Sequence, residues 1–225
     1  MLGAERGQHC EGHELMAIEF DDALRQRLKQ SLASFERRPI DDAAMRLAAV
    51  ALVIVRGVTA NEAALLLTKR PANLRRHASQ FALPGGRLDD GETVIEAALR
   101  EVSEELGLSL DPGAVLGQLD DYPTRSGFRI TPIVAWADDI SAMTPDPTEV
   151  AKVFRIPLAD LESPAIPHLE TTAEGAEPVL SAHLATLGHR VYAPTAALLY
   201  QFREVCLRGL PTRVAHFDQP KFAWT

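Results

Sequence analysis

The stretch that decides the fold is GRLDDGETVIEAALREVSEELGL, Gly86 to Leu108. It opens on glycine and closes on a carboxylate-rich run. Gly86 is followed after five residues by Glu92, and after seven more by Arg100-Glu101, then Glu104-Glu105 and Gly107. Thr93 with Glu96 three residues on is a capping-box signal for a helix start, and Gly107 suits the position just past its end. At about 100° per residue, Ile95, Leu99, Val102 and Leu106 share one side of this helix, and Glu101, Glu104 and Glu105 gather on another. A run of glutamates ordinarily makes a solvated face. Like charges at i, i+3 and i+4 nevertheless cost helix stability unless a cation or basic partner offsets them. Converging hard oxygen ligands suit Mg²⁺ or Mn²⁺, ions that keep waters and bind substrate phosphates.

Working outward, the next stretch upstream is the basic loop Lys69-Arg70-Pro71-Ala72-Asn73-Leu74-Arg75-Arg76-His77, which lies between a strand and the glycine turn. Its four cationic side chains and one histidine are placed to meet phosphate oxygens. Before it, AMRLAAVALVIVRGV (44–58) and EAALLLT (62–68) read as two strands of a hairpin turning across Gly57 to Asn61. Further back, Leu24, Leu28 and Leu32 give an amphipathic helix from Asp21 to about Phe35, expected on the outside of the domain.

Downstream, 114–122 and 128–136 read as strands joined by a turn holding Ser126-Gly127. The segment 144–161 reads as a proline-rich loop, a strand and a short helical turn, with Glu149 a candidate acid for the site. Residues 163–180 read as loop with edge-strand character. From Gly188 to Gly209 a short strand precedes a helix burying Ala196, Leu199, Phe202, Val205 and Cys206, which makes Cys206 a core residue rather than a nucleophile. Phe217, Phe222 and Trp224 are candidates to dock on the domain or on a second subunit.

Composition bounds the function classes. At 225 residues, with 46% hydrophobic and 24% charged, one sizeable core is the default. A net charge of −8 argues against nonspecific binding to nucleic acid or anionic membrane, and no apolar run reaches transmembrane length. Two cysteines supply neither a disulfide framework nor a four-cysteine zinc site, and residues 1–15 lack the apolar core of a secretory signal, so a cytoplasmic location is expected.

The run from Gly86 to Leu108 resembles the Nudix box at every position, and the chain is identified as a Nudix hydrolase by that resemblance. It implies an α/β class fold, an α/β/α sandwich with a mixed β-sheet, and cleavage of a diphosphate linkage with a divalent cation, Mg²⁺ or Mn²⁺. By carry-over, Glu101 and Glu105 are principal metal ligands and Glu104 a further ligand or base. A backbone carbonyl near Gly85-Gly86 is another ligand, and Glu149 completes the site as a candidate catalytic acid or base beside Glu104 and Glu105. Glu92 and Arg100 support loop and helix through an ion pair, while Lys69, Arg70 and Arg75 bind substrate.

The run LLTKRPANLRRHASQFALPGG is similar to the signature that precedes the box in the coenzyme A pyrophosphatase branch. Pro71, Ser79 and Leu83 depart from that signature. Thr124, Ser126-Gly127 and Thr131-Pro132 resemble the same branch, as does Gly188-His189-Arg190, with Tyr192-Ala193 in place of Trp-Gly. Pro123, sixteen residues after Gly107, is reminiscent instead of ADP-ribose-cleaving relatives. The expected substrate is coenzyme A or an acyl-CoA, with ADP-ribose or another nucleoside diphosphate derivative as alternative and a non-catalytic binding or regulatory module as a second. Expected partners are a small nucleotide-diphosphate substrate and, by the resemblance, a second subunit in a homodimer. The expected organisation is an N-terminal tail (1–17), a helix and connection (18–42), the hydrolase domain (43–209) and a C-terminal tail (210–225).

Overall fold

The computed structural model describes residues 16–59, 61–72, 80–171 and 177–220. In chain order the elements are α1 (Asp22–Ser34), β1 (Arg46–Arg56), β2 (Ala63–Lys69), β3 (Phe81–Ala82), β4 (Gly85–Arg87), α2 (Val94–Leu106), β5 (Val115–Gln118), β6 (Tyr122–Pro123) and β7 (Phe128–Trp136). After them come β8 (Lys152–Pro157), α3 (Leu158–Leu161), β9 (His168–Glu170), β10 (Val179–Leu184), β11 (His189–Tyr192) and α4 (Thr195–Phe202), the last running on as a π-helical turn over Arg203–Leu207. Among the described residues no helix is long and apolar enough to cross a membrane.

β1 is the spine of an eight-stranded sheet ordered β3-β2-β1-β7-β5, with β4 also on β1, β6 on β7 and β8 on β2. Only the β1–β7 pairing is parallel, which makes the sheet mixed. A strand buried on both faces must be apolar throughout, and ALVIV in β1 is. Its Ala49, Ala51, Val53 and Val55 pack with Ala97, Ala98, Val102 and Leu106 of α2. Leu52 and Ile54 enter the opposite core with α1 and α4. Helices on both faces of a mixed sheet give the expected α/β/α sandwich. A smaller sheet, ordered β11-β10-β9, stands beside it.

α2 forms as its ends dictate. Thr93 accepts from the Glu96 amide at 3.3 Å and the Glu96 carboxylate accepts from the Thr93 amide at 2.8 Å, closing the capping box. Gly107 ends the helix at φ 62°, where a Cβ would lie 2.3 Å from the Thr144 hydroxyl, so both conformation and space call for glycine.

The hairpin of β1 and β2, strand β7, the strand-and-turn of β8 and α3, and the buried Cys206 all fall where the sequence puts them. Burial pushes the Cys206 thiol well up, as an inert core thiol requires. One expectation changes. Helix α1 is no outer attachment: Leu24, Leu28 and Leu32 are at most 6% exposed and share the main core, each contributing about 2 kcal/mol by burial. The edge-strand character read in 163–180 is met by β9, an outer strand of the small sheet, and the segment's last two residues begin its central strand β10. The stretch after Leu210 lies against the domain as far as Gln219, with Phe217 packed on the core. Val214 is fully buried, Asp218 bridges to Val179, and the Phe217 carbonyl accepts from the Tyr122 hydroxyl at 2.8 Å. These anchors are too widely spaced to leave a period in the sequence. Phe222 and Trp224 lie outside the described residues.

Candidate active site

The register of β4 on β1, Ala49 opposite Gly86, lays the glycine turn along the second half of α2, beside Glu101 and Glu105. A Cβ on Gly86 would stand 2.2 Å from a Glu101 carboxylate oxygen, so only glycine lets backbone and carboxylate approach this closely. Arg100 organises the surroundings. Its guanidinium donates to both oxygens of Glu92 at 2.8 and 3.1 Å, to Glu101 at 2.9 Å, to Glu104 at 2.8 Å and to the Arg87 carbonyl at 2.9 Å. Glu92 in turn accepts from the Asp89 amide at 2.9 Å, so the loop before the helix is tied to its middle. Hydrogen bonding from Arg100 holds the Glu92 carboxyl below its usual range, and Arg100 itself is raised by Glu92 first among its partners.

The three glutamates of the helix differ in environment. Glu104 is exposed, Glu101 is half-buried and Glu105 is only 4% exposed. The helix therefore buries Glu105 with its apolar side instead of presenting all three on one wet face, because alanines at 97 and 98 let α2 sit close on the sheet. Burial is the main cause that pushes the Glu105 carboxyl up to about 8, with Glu101 and Glu149 adding to it and Arg70 and the Gly85 amide opposing. Burial likewise raises Glu101, against the pull of Arg100. Glu149 lies on the loop after β7. That loop hangs from the end of α2 by the Thr144 amide on the Leu106 carbonyl (2.9 Å) and the Asp146 amide on the Glu105 carbonyl (3.0 Å). The Glu149 charge is felt by both Glu101 and Glu105.

Two features bear on whether a divalent cation suits these residues. The donors are all oxygen, the hard set that Mg²⁺ and Mn²⁺ take. Burial, Glu101 and Glu149 all weigh against a negative charge on Glu105, a deficit of positive charge that a cation would meet. As the side chains stand, Arg100 holds Glu101 and Glu104, and among the described residues no three acidic, histidine or cysteine groups form a ready cage. The donor chemistry fits such an ion, which would have to take Glu101 and Glu104 from the guanidinium.

On the other side of Gly85 and Gly86 opens a cleft of about 1030 Å³, at the top of the range of roughly 300–1,000 Å³ usual for small-molecule sites. It lies between β1, β7 and β4 and the unit of β11 and α4. Arg46, Lys69, Arg70, Arg87 and Arg190 bring positive charge to its walls, while Leu83, Val191, Pro194 and Leu198 make an apolar side. The buried Nε of Arg70 has no hydrogen-bond partner among the described residues. Lys69 sits 5.6 Å over the Phe81 ring.

Of the residues singled out in the sequence, the fold brings together Gly85, Gly86, Glu92, Arg100, Glu101, Glu104, Glu105, Glu149 and Arg70, with Lys69 in the adjoining cleft. Arg75 lies outside the described residues. Arg46, Arg87 and the role of Arg190 were not anticipated. Each is a lone cation at a strand end, and only the pairing of Ala48 with Arg87 and of Arg46 with Phe128 reveals that they line one cavity.

A family model described as NUDIX domain matches residues 45–182. A protein described as an uncharacterized Nudix hydrolase, NudL, from Photorhabdus laumondii is 34% identical over 154 residues, covering 68% of this chain and 73% of that protein. Its namesake from Yersinia enterocolitica is 43% identical over 109 residues, 48% of this chain and 56% of that one, so the chain spans just over half the length of this relative. A solved MutT/nudix family protein from Enterococcus faecalis superposes with a TM-score of 0.49 at 14% identity, over 85% of this chain and 78% of that one.

Proposed function

The chain belongs to the NUDIX family of hydrolases, and from that membership we propose that it cleaves the diphosphate of coenzyme A or an acyl-CoA. The products would be (acyl-)4′-phosphopantetheine and adenosine 3′,5′-bisphosphate. The observation that carries this reading is the cleft: one cavity next to the acidic helix joins a cationic wall to an apolar one, as a substrate with a highly phosphorylated half and a less polar half requires. Thr124, Ser126, His189 and Arg190, all within the segments similar to the coenzyme A branch, line that cavity and add support.

In the proposed reaction a water oxygen attacks one phosphorus, the bridging P–O bond breaks, and the water's proton passes to a base. Glu101 and Glu105, with Glu104 and a carbonyl at Gly85-Gly86, would hold Mg²⁺ or Mn²⁺, which when bound would supply charge neutralisation and a lowered pKa for water. Arg70 and Lys69, at the end of β2, take phosphate oxygens from the cleft side, and the Nε of Arg70, without a partner among the described residues, is a donor for one. Glu92 and Arg100 keep the glycine turn and helix in register. For the base, Glu149 is favoured over Glu104, since Glu104 is already bonded to Arg100 whereas Glu149 carries no ion pair among the described residues. A base must reach the proton it removes, and the loop anchored on α2 carries Glu149 on that side.

The test is product analysis after incubation with Mg²⁺ or Mn²⁺ and, separately, coenzyme A, acetyl-CoA, ADP-ribose and NADH. Release of adenosine 3′,5′-bisphosphate from the first two is expected. Turnover of ADP-ribose with coenzyme A left intact overturns the substrate.

A further inference from the structure

We propose that Arg46 and Arg87, both laid against the Phe128 ring at the rim of the cleft, form a subsite for a phosphate monoester on the ribose of the substrate's nucleotide half. They thereby select nucleotides that carry such a phosphate. The inference deepens the coenzyme A reading and rests on it. The guanidinium carbons lie 3.9 Å (Arg46) and 5.0 Å (Arg87) from the ring centroid, so two full positive charges share one aromatic side chain. Arg46 is fixed further by its bond to the Ser126 carbonyl at 2.6 Å and by its backbone bond to Gly127 at 3.0 Å.

Like charges held this close repel, and a protein with 31 acidic residues has carboxylates to spare for neutralising them. Yet neither arginine forms an ion pair with a carboxylate among the described residues. Every other feature nearby keeps the deficit: the Thr124 and Ser126 hydroxyls line the same end of the cavity, and the Arg87 carbonyl is taken by Arg100. Stacking on a ring leaves the edges of a guanidinium, where its donors lie, open to an oxyanion, and a phosphate is the anion whose geometry two such forks match. The position separates this subsite from the scissile diphosphate. Arg70, whose charge Glu105 feels, approaches from the end of β2, whereas Arg46 and Arg87 stand at the start of β1 and the end of β4, beyond Gly86. A phosphate here is therefore a second anion of the same ligand, which orients the nucleotide half toward Phe128 and the other half toward Leu198 and Val191.

The experiment compares coenzyme A with dephospho-coenzyme A as substrates for the wild type, Arg46→Gln and Arg87→Gln, in Mg²⁺. The readout is the ratio of the two kcat/KM values. The wild type should favour coenzyme A, and each substitution should shrink that ratio by about tenfold, the loss of one charge-assisted contact. Calorimetric titration of the same proteins with adenosine 3′,5′-bisphosphate and with adenosine 5′-monophosphate gives a second reading independent of turnover. A wild-type preference for the bisphosphate that disappears in both variants supports the subsite. Equal binding of the two nucleotides by the wild type, or a preference that survives both substitutions, overturns it. Failure of both coenzymes to be cleaved while ADP-ribose is cleaved refutes the substrate reading, and the titration still decides the subsite.

Discussion

Two clusters of arginine and carboxylate sit on the same sheet and are built to opposite rules. Around Asp120 and Asp121, 3% and 1% exposed, positive charge is in surplus. Arg213 clasps both oxygens of Asp120 at 2.9 and 2.8 Å, with the Arg38 amide at 2.6 Å and Gln201 at 3.0 Å completing the set. Asp121 receives Arg37, the Ile40 amide at 2.9 Å and the Thr131 hydroxyl at 2.7 Å, with Arg129 at 3.7 Å. Around α2 a single guanidinium serves Glu92, Glu101 and Glu104, and buried Glu105 has Arg70 only as a neighbouring charge. A closed network holds the N-terminal segment, the β5–β6 turn and the C-terminal stretch together. An open one stays short of cation, as a centre meant to receive an ion and a polyanion must.

The contrast can be broken from either side. Glu105→Gln should have the largest effect, lowering kcat by about 10³-fold in a hydrolysis assay, comparable to losing one preorganised charge-stabilising group. Because burial, Glu101 and Glu149 already disfavour the charged form of Glu105, the variant's thermal midpoint in chelator should not fall. Activity within a few-fold of wild type would remove Glu105 from the metal set. Asp121→Ala should do the reverse, costing about 3 kcal/mol in urea titration because Arg37 and Arg129 lose the carboxylate that neutralises them, with the folded fraction retaining its rate. A loss below about 0.5 kcal/mol would mean the network is ornamental. Arg100→Lys sharpens the comparison most finely. A lysine cannot span Glu92, Glu101 and the Arg87 carbonyl at once, and kcat/KM should drop about tenfold, near 1.4 kcal/mol, with a higher Mg²⁺ requirement. An unaltered Mg²⁺ titration would show that the fork positions nothing.

The open cluster was readable in the sequence and the closed one was not. Local spacing reports what a single helix does, so the cap at Thr93 and the end at Gly107 could be taken from one run of residues, whereas the burial of Glu105 apart from Glu104 could not. Spacing also placed the hairpin of β1 and β2, since the continuous apolar run had to be a strand buried on both faces. Asp120-Asp121, by contrast, reads in the chain as two solvated carboxylates of a turn, because their partners Arg37, Arg129 and Arg213 come from other segments. The same holds for Arg46 and Arg87, united by strand register alone, and for α1, whose three leucines fix an apolar stripe without saying how deeply it is covered.

Thr144 and Asp146 use the last carbonyls of α2 as their anchors, and that choice has a mechanical outcome. Glu149 is held from both sides: Asp146 ties its loop to α2, and two residues on, the Ala151 amide donates to the carbonyl of Lys69 in β2 at 2.9 Å. A shift of α2 on the sheet is therefore felt at Glu149 and at Lys69 together, so one short loop links the acids of the helix to a cation of the cleft wall.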